Sequence, residues 1–228
     1  MNQKPIVILS IKIIIDFIMA VLFILLMGYH LFSNVTHEII GTILFTLFII
    51  HNCLNWRWYR NIFKKKYIRN HFLEVIINIL LLVTMISTIV SSLMLSRDVF
   101  YFLGFTSGII GRKMHMISTI WSFILVAIHL GLHIKMFSAM IKKKVKLSDN
   151  KLIIQKILYI ITFIIFCYGL IVFYNRSIWN EMFLLVEYKY MDFNESIILF
   201  IIDYISFFIS LVIIGYYLKK LFLKLKNK

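Results

Sequence analysis

The stretch HMISTIWSFILVAIHLGLH, residues 115–133, carries no Asp, Glu, Lys or Arg, and its only strongly polar rings are His115, His129 and His133. An uncharged apolar run of about this length crosses a bilayer as a helix. Fourteen positions separate His115 from His129. At about 100° per residue that interval falls roughly 40° short of four turns, so both imidazoles leave one face, roughly 21 Å apart along the axis. His133, about five full turns from His115, shares the face. A second stretch, HEIIGTILFTLFIIH, residues 37–51, repeats the interval between His37 and His51.

The composition around these stretches is that of an integral membrane protein. Of 228 residues, 61% are hydrophobic, against about 45–50% in ordinary soluble domains. The formal net charge is +15. Most of the basic residues cluster in short segments between apolar runs, which points to anionic lipid rather than nucleic acid as the neighbour. Cys53 and Cys167 both lie inside apolar runs and form no CxxC or CxxCH pattern, so thiolate metal sites and covalent haem attachment are not expected. The first apolar run is too long for a signal sequence and lacks a small-residue cleavage site, so it reads as a retained span.

Six runs are long enough to cross, at 6–31, 37–56, 72–95, 114–137, 152–174 and 196–218. The only proline, Pro5, precedes them, so no span is kinked by proline. Arg57, Arg60, Lys64, Lys65, Lys66 and Arg69 follow the second span. Lys135, Lys142, Lys143, Lys144, Lys146 and Lys151 follow the fourth, and Lys219 to Lys228 follow the sixth. The opposite connections are poor in base, and the last one carries Glu181, Glu187, Asp192 and Glu195. Both termini are therefore expected on the cytoplasmic side. Residues 99–111 are apolar but short and broken by glycine, so they are expected at the outer interface or folded back. Residues 178–191 are expected as an interfacial cap. Trp56, Trp58, Tyr59 and Tyr67 read as an aromatic belt.

With this topology the second and fourth spans run in one direction, so equal histidine intervals bring each pair to a common depth. His37 and His115 fall near the outer surface, and His51 and His129 fall nearer the cytoplasm. Two imidazoles facing each other at one depth are the axial ligand set of a b-type haem, so the spacing points to two haems. Neutral imidazole suits iron. His133 is an alternative to His129, or a propionate or quinone contact. Thr42, Thr46, Ser118, Thr119 and Ser122 are candidates to hold the second ring nitrogen. Gly41 and Gly131 either make room for a macrocycle or let helices approach. Arg112, Lys113 and Arg57 either pair with haem carboxylates or snorkel to headgroups. His30 either caps the outer haem or faces water, and His71 is expected in solvent. Asp16 and Asp203, inside spans, each must find a partner or stay protonated, either in a helix–helix hydrogen bond or in a proton or quinone role.

Three phrases, KIIIDFIMAVLFILLMGYH (12–30), HEIIGTILFTLFIIHNCLNWRWYRNIFKKKYIR (37–69) and GRKMHMISTIWSFILVAIHLGLH (111–133), resemble the bacterial flavinylation-associated cytochrome family. The likeness covers about the first 140 residues. It departs at Met114, where the family pattern has leucine, and it does not extend to the last two spans. The resemblance implies a di-haem b-type membrane cytochrome with iron ligands at the positions matching His37, His51, His115 and His129. It also implies electron transfer toward extracytoplasmic proteins that carry covalent FMN.

The expected fold is thus all-α and polytopic, with a haem-bearing four-helix bundle over 1–140 and two further spans over 141–228. The chain has no nucleotide-binding glycine loop, so a dehydrogenase module or quinol is expected as donor, in a bacterial cytoplasmic membrane. Two rivals use the same histidines. One is a metal-ion transporter, and the other is a membrane anchor or quinol-oxidising subunit of a redox complex.

Overall fold

The computed structural model describes residues 4–105, 108–144, 151–189 and 191–226, with the side chains of 4–10, 135–144 and 151–155 left out. The lysines expected at the basic end between 135 and 151 lie outside the described side chains. Among the described residues the only regular structure is helical: α1 Lys4–Leu26, α2 Asn34–Leu54, α3 Trp56–Asn61, α4 Lys65–Asn70, α5 Phe72–Leu95, α6 Ile109–Lys144, α7 Lys151–Asn175, α8 Ile178–Met182 and α9 Ile197–Lys226. Of the six expected spans, five are long and apolar enough to cross a membrane: α2, α5, α6 as far as Ile134, α7 from Lys156, and α9. The remaining one, α1, is a helix of 23 residues. An apolar medium leaves backbone groups no partner but the helix itself, so these sequences have no other regular form there.

Helices α6 and α9 form the centre. Half of each apolar window is buried, against 6% for α2. On α6, Ile120, Phe123, Ile124 and Ala127 recur every three or four residues and are buried. On α9, Phe200, Tyr204, Phe207, Phe208 and Leu211 do the same. Phe123 is fully buried and packs on Phe23, Tyr204, Phe207 and Phe208 at centroid distances of 5.4–6.0 Å. This cluster continues through residues of α1, α2, α5 and α7. The core therefore runs on past residue 140, and the last long helix is joined to the bundle expected from the first four spans.

Glycine makes that contact possible. A Cβ on Gly131 of α6 would strike the carbonyl of Val212 and the backbone of Gly215 and Tyr216. Gly215 in turn lies against the carbonyl of Ile128. Gly169 of α7 seats Ser206 and Ser210 of α9 in the same way, and Ser210 Oγ lies within hydrogen-bond distance of the carbonyls of Ser206 (2.9 Å) and Phe166 (3.1 Å). Small residues let membrane helices approach where lipid supplies no hydrophobic drive. Gly131 is therefore a helix-contact residue.

The two ends of the bundle differ in charge. One end carries Lys12, Arg69, Lys219 and Lys226: Lys226 Nζ donates to the Arg69 carbonyl at 3.1 Å, and Lys219 pairs with Glu74 at 2.9 Å. At the other, acidic end, Arg176 is held by Glu195 and by Asp203, at 2.8 Å from the latter. Tyr168 also donates to Asp203, at 2.5 Å. His30, expected to cap the outer haem or face water, is instead buried against Glu195 at 3.0 Å. The partner that Asp203 required is thus an arginine and a tyrosine from α7 and its end. His71 is half exposed and lies tilted against the Tyr67 ring, near Glu74. The segment 178–182 packs on α6, where Trp121 Nε1 donates to the Met182 carbonyl at 3.1 Å. Of residues 99–111, 106–107 lie outside the described residues; Tyr101–Leu103 form a short 3-10 turn at the acidic end, and α6 begins at Ile109.

The α6–α9 contact predicts that Gly131→Ala lowers stability by roughly 1–3 kcal/mol, the usual cost of overpacking. Gly108→Ala, whose Cβ meets nothing within 4 Å, leaves it unchanged. Thermal unfolding of the two variants in detergent checks this.

Candidate functional site

The histidines of α2 and α6 stand at two levels, and α2 packs chiefly on α1 while standing off from α6. Near the acidic end, His37 and His115 line one cavity of about 450 Å³ with Gly41, Phe45, Met85 and Thr88. The exposed Arg97, Arg112 and Glu187 line its mouth, and Lys189 also lines it. Cofactor sites are commonly of this size and character, apolar with a few polar groups. Gly41 adds to the space, since a Cβ there would meet nothing within 4 Å. The two glycines that the sequence leaves equivalent thus have different work: Gly41 faces the cavity and Gly131 faces α9.

The tautomer at His115 follows from its neighbours. Its Nδ1 is 3.3 Å from both Ser91 Oγ and Ser92 Oγ. Each hydroxyl has one proton, which goes to a carbonyl of its own helix: Ser91 to Ser87 at 2.8 Å or Thr88 at 3.0 Å, and Ser92 to Thr88 at 2.7 Å. With those protons so placed the serine oxygens can accept, which fits His115 Nδ1–H as donor and a lone pair on Nε2. His37 is held edge-on to the Tyr29 ring at 5.0 Å, and its buried Nδ1 has no hydrogen-bond partner. Unpaired buried nitrogen is costly and uncommon in proteins. The two rings are close enough for their charges to interact.

Nearer the basic end, His51 and His129 are likewise within electrostatic reach of each other. Asp16 Oδ1 of α1 lies 2.6 Å from His51 Nδ1. Lys12, one turn away, donates to Asn55 Oδ1 at 2.9 Å. His129 Nδ1 meets the Asn78 amide at 2.7 Å. With its nitrogen toward His129, Asn78 donates to that ring and to the Glu74 carbonyl while accepting from Trp58 Nε1 at 3.2 Å. With its oxygen toward His129, it accepts Nδ1–H and leaves the lone pair on Nε2. His133 lies beside His129, ring centroids 4.9 Å apart.

The hydroxyls expected to hold the second ring nitrogens do not do so. Thr42 and Thr46 donate to the carbonyls of Glu38 and Thr42, Ser118 and Thr119 to that of His115, and Ser122 faces Thr88 at 3.4 Å. A hydroxyl three or four residues along a helix takes the carbonyl of its own helix. The ring partners come from other helices instead, as Asp16, Asn78, Ser91 and Ser92. Asn78 was detectable, being the only amide side chain in the α5 span. Of the expected belt, Trp56 is exposed and Tyr59 donates to Asn52, while Trp58 Nε1 reaches Asn78 when that amide turns its nitrogen to His129.

The cations expected near haem carboxylates separate. Arg112 lines the cavity mouth and lies over the Tyr188 ring at 6.0 Å. Lys113 pairs with Glu187 at 3.1 Å, and Arg57 is exposed. At Lys189, burial opposes the charge, but Tyr204 and Glu181 outweigh it and raise its pKa above the ordinary lysine value. Among the described residues no group of three or more His, Cys, Asp or Glu is arranged to hold a bare metal ion.

Glu38, which spacing arguments passed over, holds the cavity's rim together. Its carboxylate accepts from Ser96 Oγ at 2.6 Å, from Arg97 N at 2.8 Å, from Val99 N at 2.7 Å and from Asn34 Nδ2 at 2.8 Å. The carboxylate thereby ties the start of α2 to the end of α5.

No family model, curated protein or solved structure matches the chain.

Removing the Glu38 carboxylate leaves several amides without an acceptor. Glu38→Ala is expected to cost roughly 1–3 kcal/mol, as for other deleted partners of polar groups. Amide hydrogen exchange at Arg97 and Val99 accelerates in the same variant, and Glu38→Gln falls between it and the parent.

Proposed function

We propose that this chain is a six-span membrane electron carrier holding two b-type haems, one between His37 and His115 and one between His51 and His129. The observation that carries the reading is the cavity at the acidic end. It joins two imidazoles from facing helices, with the His115 lone pair left on Nε2 and His37 Nδ1 buried without a partner. A bound haem iron supplies a reversible one-electron couple, tuned by axial ligand, hydrogen bonding and burial.

The chain's own residues supply the rest. Ser91 and Ser92 fix the ring and tautomer of His115. Phe45 and Met85 line the cavity with apolar surface and exclude water. Arg112 places a cation at the mouth, where haem carboxylates would meet water. At the inner level, ligation by His129 calls for Asn78 to turn its oxygen toward Nδ1; His133 is the alternative ring. The basic end faces the cytoplasm by the positive-inside rule. Both chain ends then lie inside, in a bacterial cytoplasmic membrane. The donor is a quinol or a cytoplasmic-side dehydrogenase. As the family likeness implies, the acceptor is an extracytoplasmic protein carrying FMN.

A reduced-minus-oxidised visible spectrum of the purified protein, with a pyridine haemochrome count, tests this. Two haems b per chain are expected, falling to about one in His37→Ala, His115→Ala or His51→Ala. Protein that is colourless when made in haem-replete cells would falsify the reading.

A further inference from the structure

The two histidine pairs have unlike electrostatic surroundings. At the inner level a carboxylate is one hydrogen bond from a proposed ligand ring, with Asp16 Oδ1 2.6 Å from His51 Nδ1. At the outer level no carboxylate touches a ring. His115 Nδ1 meets two neutral serine hydroxyls, and His37 Nδ1 has no partner. Glu38, next to His37 in the chain, is committed to Ser96, Asn34 and the amides of residues 97–99.

The charge of Asp16 is also left to His51 by its cationic neighbours. Lys12 donates to Asn55 Oδ1. Lys219 is taken by Glu74 at 2.9 Å and by the Leu132 carbonyl at 2.8 Å.

We infer that Asp16 is a positioning residue that makes the inner site the lower-potential one, so that the electron equilibrium within the chain runs from the basic end toward the acidic end. The inference rests on the di-haem reading above. A carboxylate that accepts Nδ1–H draws the proton away from the ring and makes Nε2 a stronger donor. It also sets a negative charge near the iron in a medium of low dielectric, where charge is felt strongly. Both effects favour the oxidised, more positive state and lower the potential. Neutral hydroxyls at His115 do neither to the same degree. The electron lost at the inner site is the electron gained at the outer one, and the step needs no proton. The residue also holds His51 by its Nδ1, which sets the tautomer that ligation by Nε2 requires; Asn55 Nδ2, 3.4 Å from that Nε2, turns aside when the iron is bound.

The test is a potentiometric titration of the full-length purified protein, followed in the visible bands after the haem count. Two components are expected, and the lower one is absent from His51→Ala. Asp16→Asn raises that lower midpoint and leaves the upper one in place, while Asp16→Glu restores it. A wild type in which His51→Ala removes the higher component, or an Asp16→Asn protein with both midpoints unmoved, overturns the inference. If Asp16→Asn binds a single haem, the wild-type ordering against His51→Ala still decides. A wild type without haem fails at the count and overturns the underlying reading instead.

Discussion

Each imidazole inside an apolar bundle brings two nitrogens that need partners, and its own helix seldom supplies them; Asn55 Nδ2, 3.4 Å from His51 Nε2, is a contact of that kind. At His51, His115 and His129 one nitrogen is met by a side chain from a neighbouring helix: Asp16 from α1, Ser91 and Ser92 from α5, and Asn78 from α5. Residues 78 and 92 are fourteen apart, the interval of the histidines on α6, so antiparallel packing of α5 on α6 serves both levels at once. The arrangement of α1, α2 and α5 around α6 is thereby tied to the polar needs of the rings.

The bundle divides its labour between a rigid part and an adjustable one. Helices α6, α7 and α9 touch almost backbone to backbone through Gly131, Gly169 and Gly215, which leaves little freedom at that seam. Helix α2 has little buried surface and is held by α1 and by the Glu38 carboxylate at its start. Helix α6 is thus fixed by tight packing, whereas the position of α2 depends on a few hydrogen bonds. A cavity between a fixed and a lightly held helix can admit a large flat group without disturbing the core. Polar residues in membrane helices concentrate where function needs them, and here they gather around the histidines and at the acidic end.

Much of this was legible in the residues. The spans at 72–95 and 152–174 agree with α5 and α7 to within a residue, because long apolar runs bounded by charge have only helix open to them. The paired intervals of His37/His51 and His115/His129 placed rings at two levels, since helix rise is uniform. The ring partners were misassigned, because Thr42, Thr46, Ser118 and Thr119 lie near the histidines in sequence yet spend their protons on their own helices. His30 was expected to meet solvent or haem and is paired with Glu195, 165 residues away. Nothing local to either residue marks that contact.

The sequence by itself determined the helices, their apolar faces, the charge difference between the two ends and the depth of each histidine. These follow from composition and from the 1.5 Å rise of a helix, neither of which depends on neighbours. Only the tertiary structure decided which helix stands beside which. It assigned Gly131 to α9 and Gly41 to the cavity, put Asp16 on His51 and turned Glu38 to the 96–99 loop. Those choices turn on rotation and lateral order of helices, which depend on side chains meeting across tens of residues and leave no period in the chain.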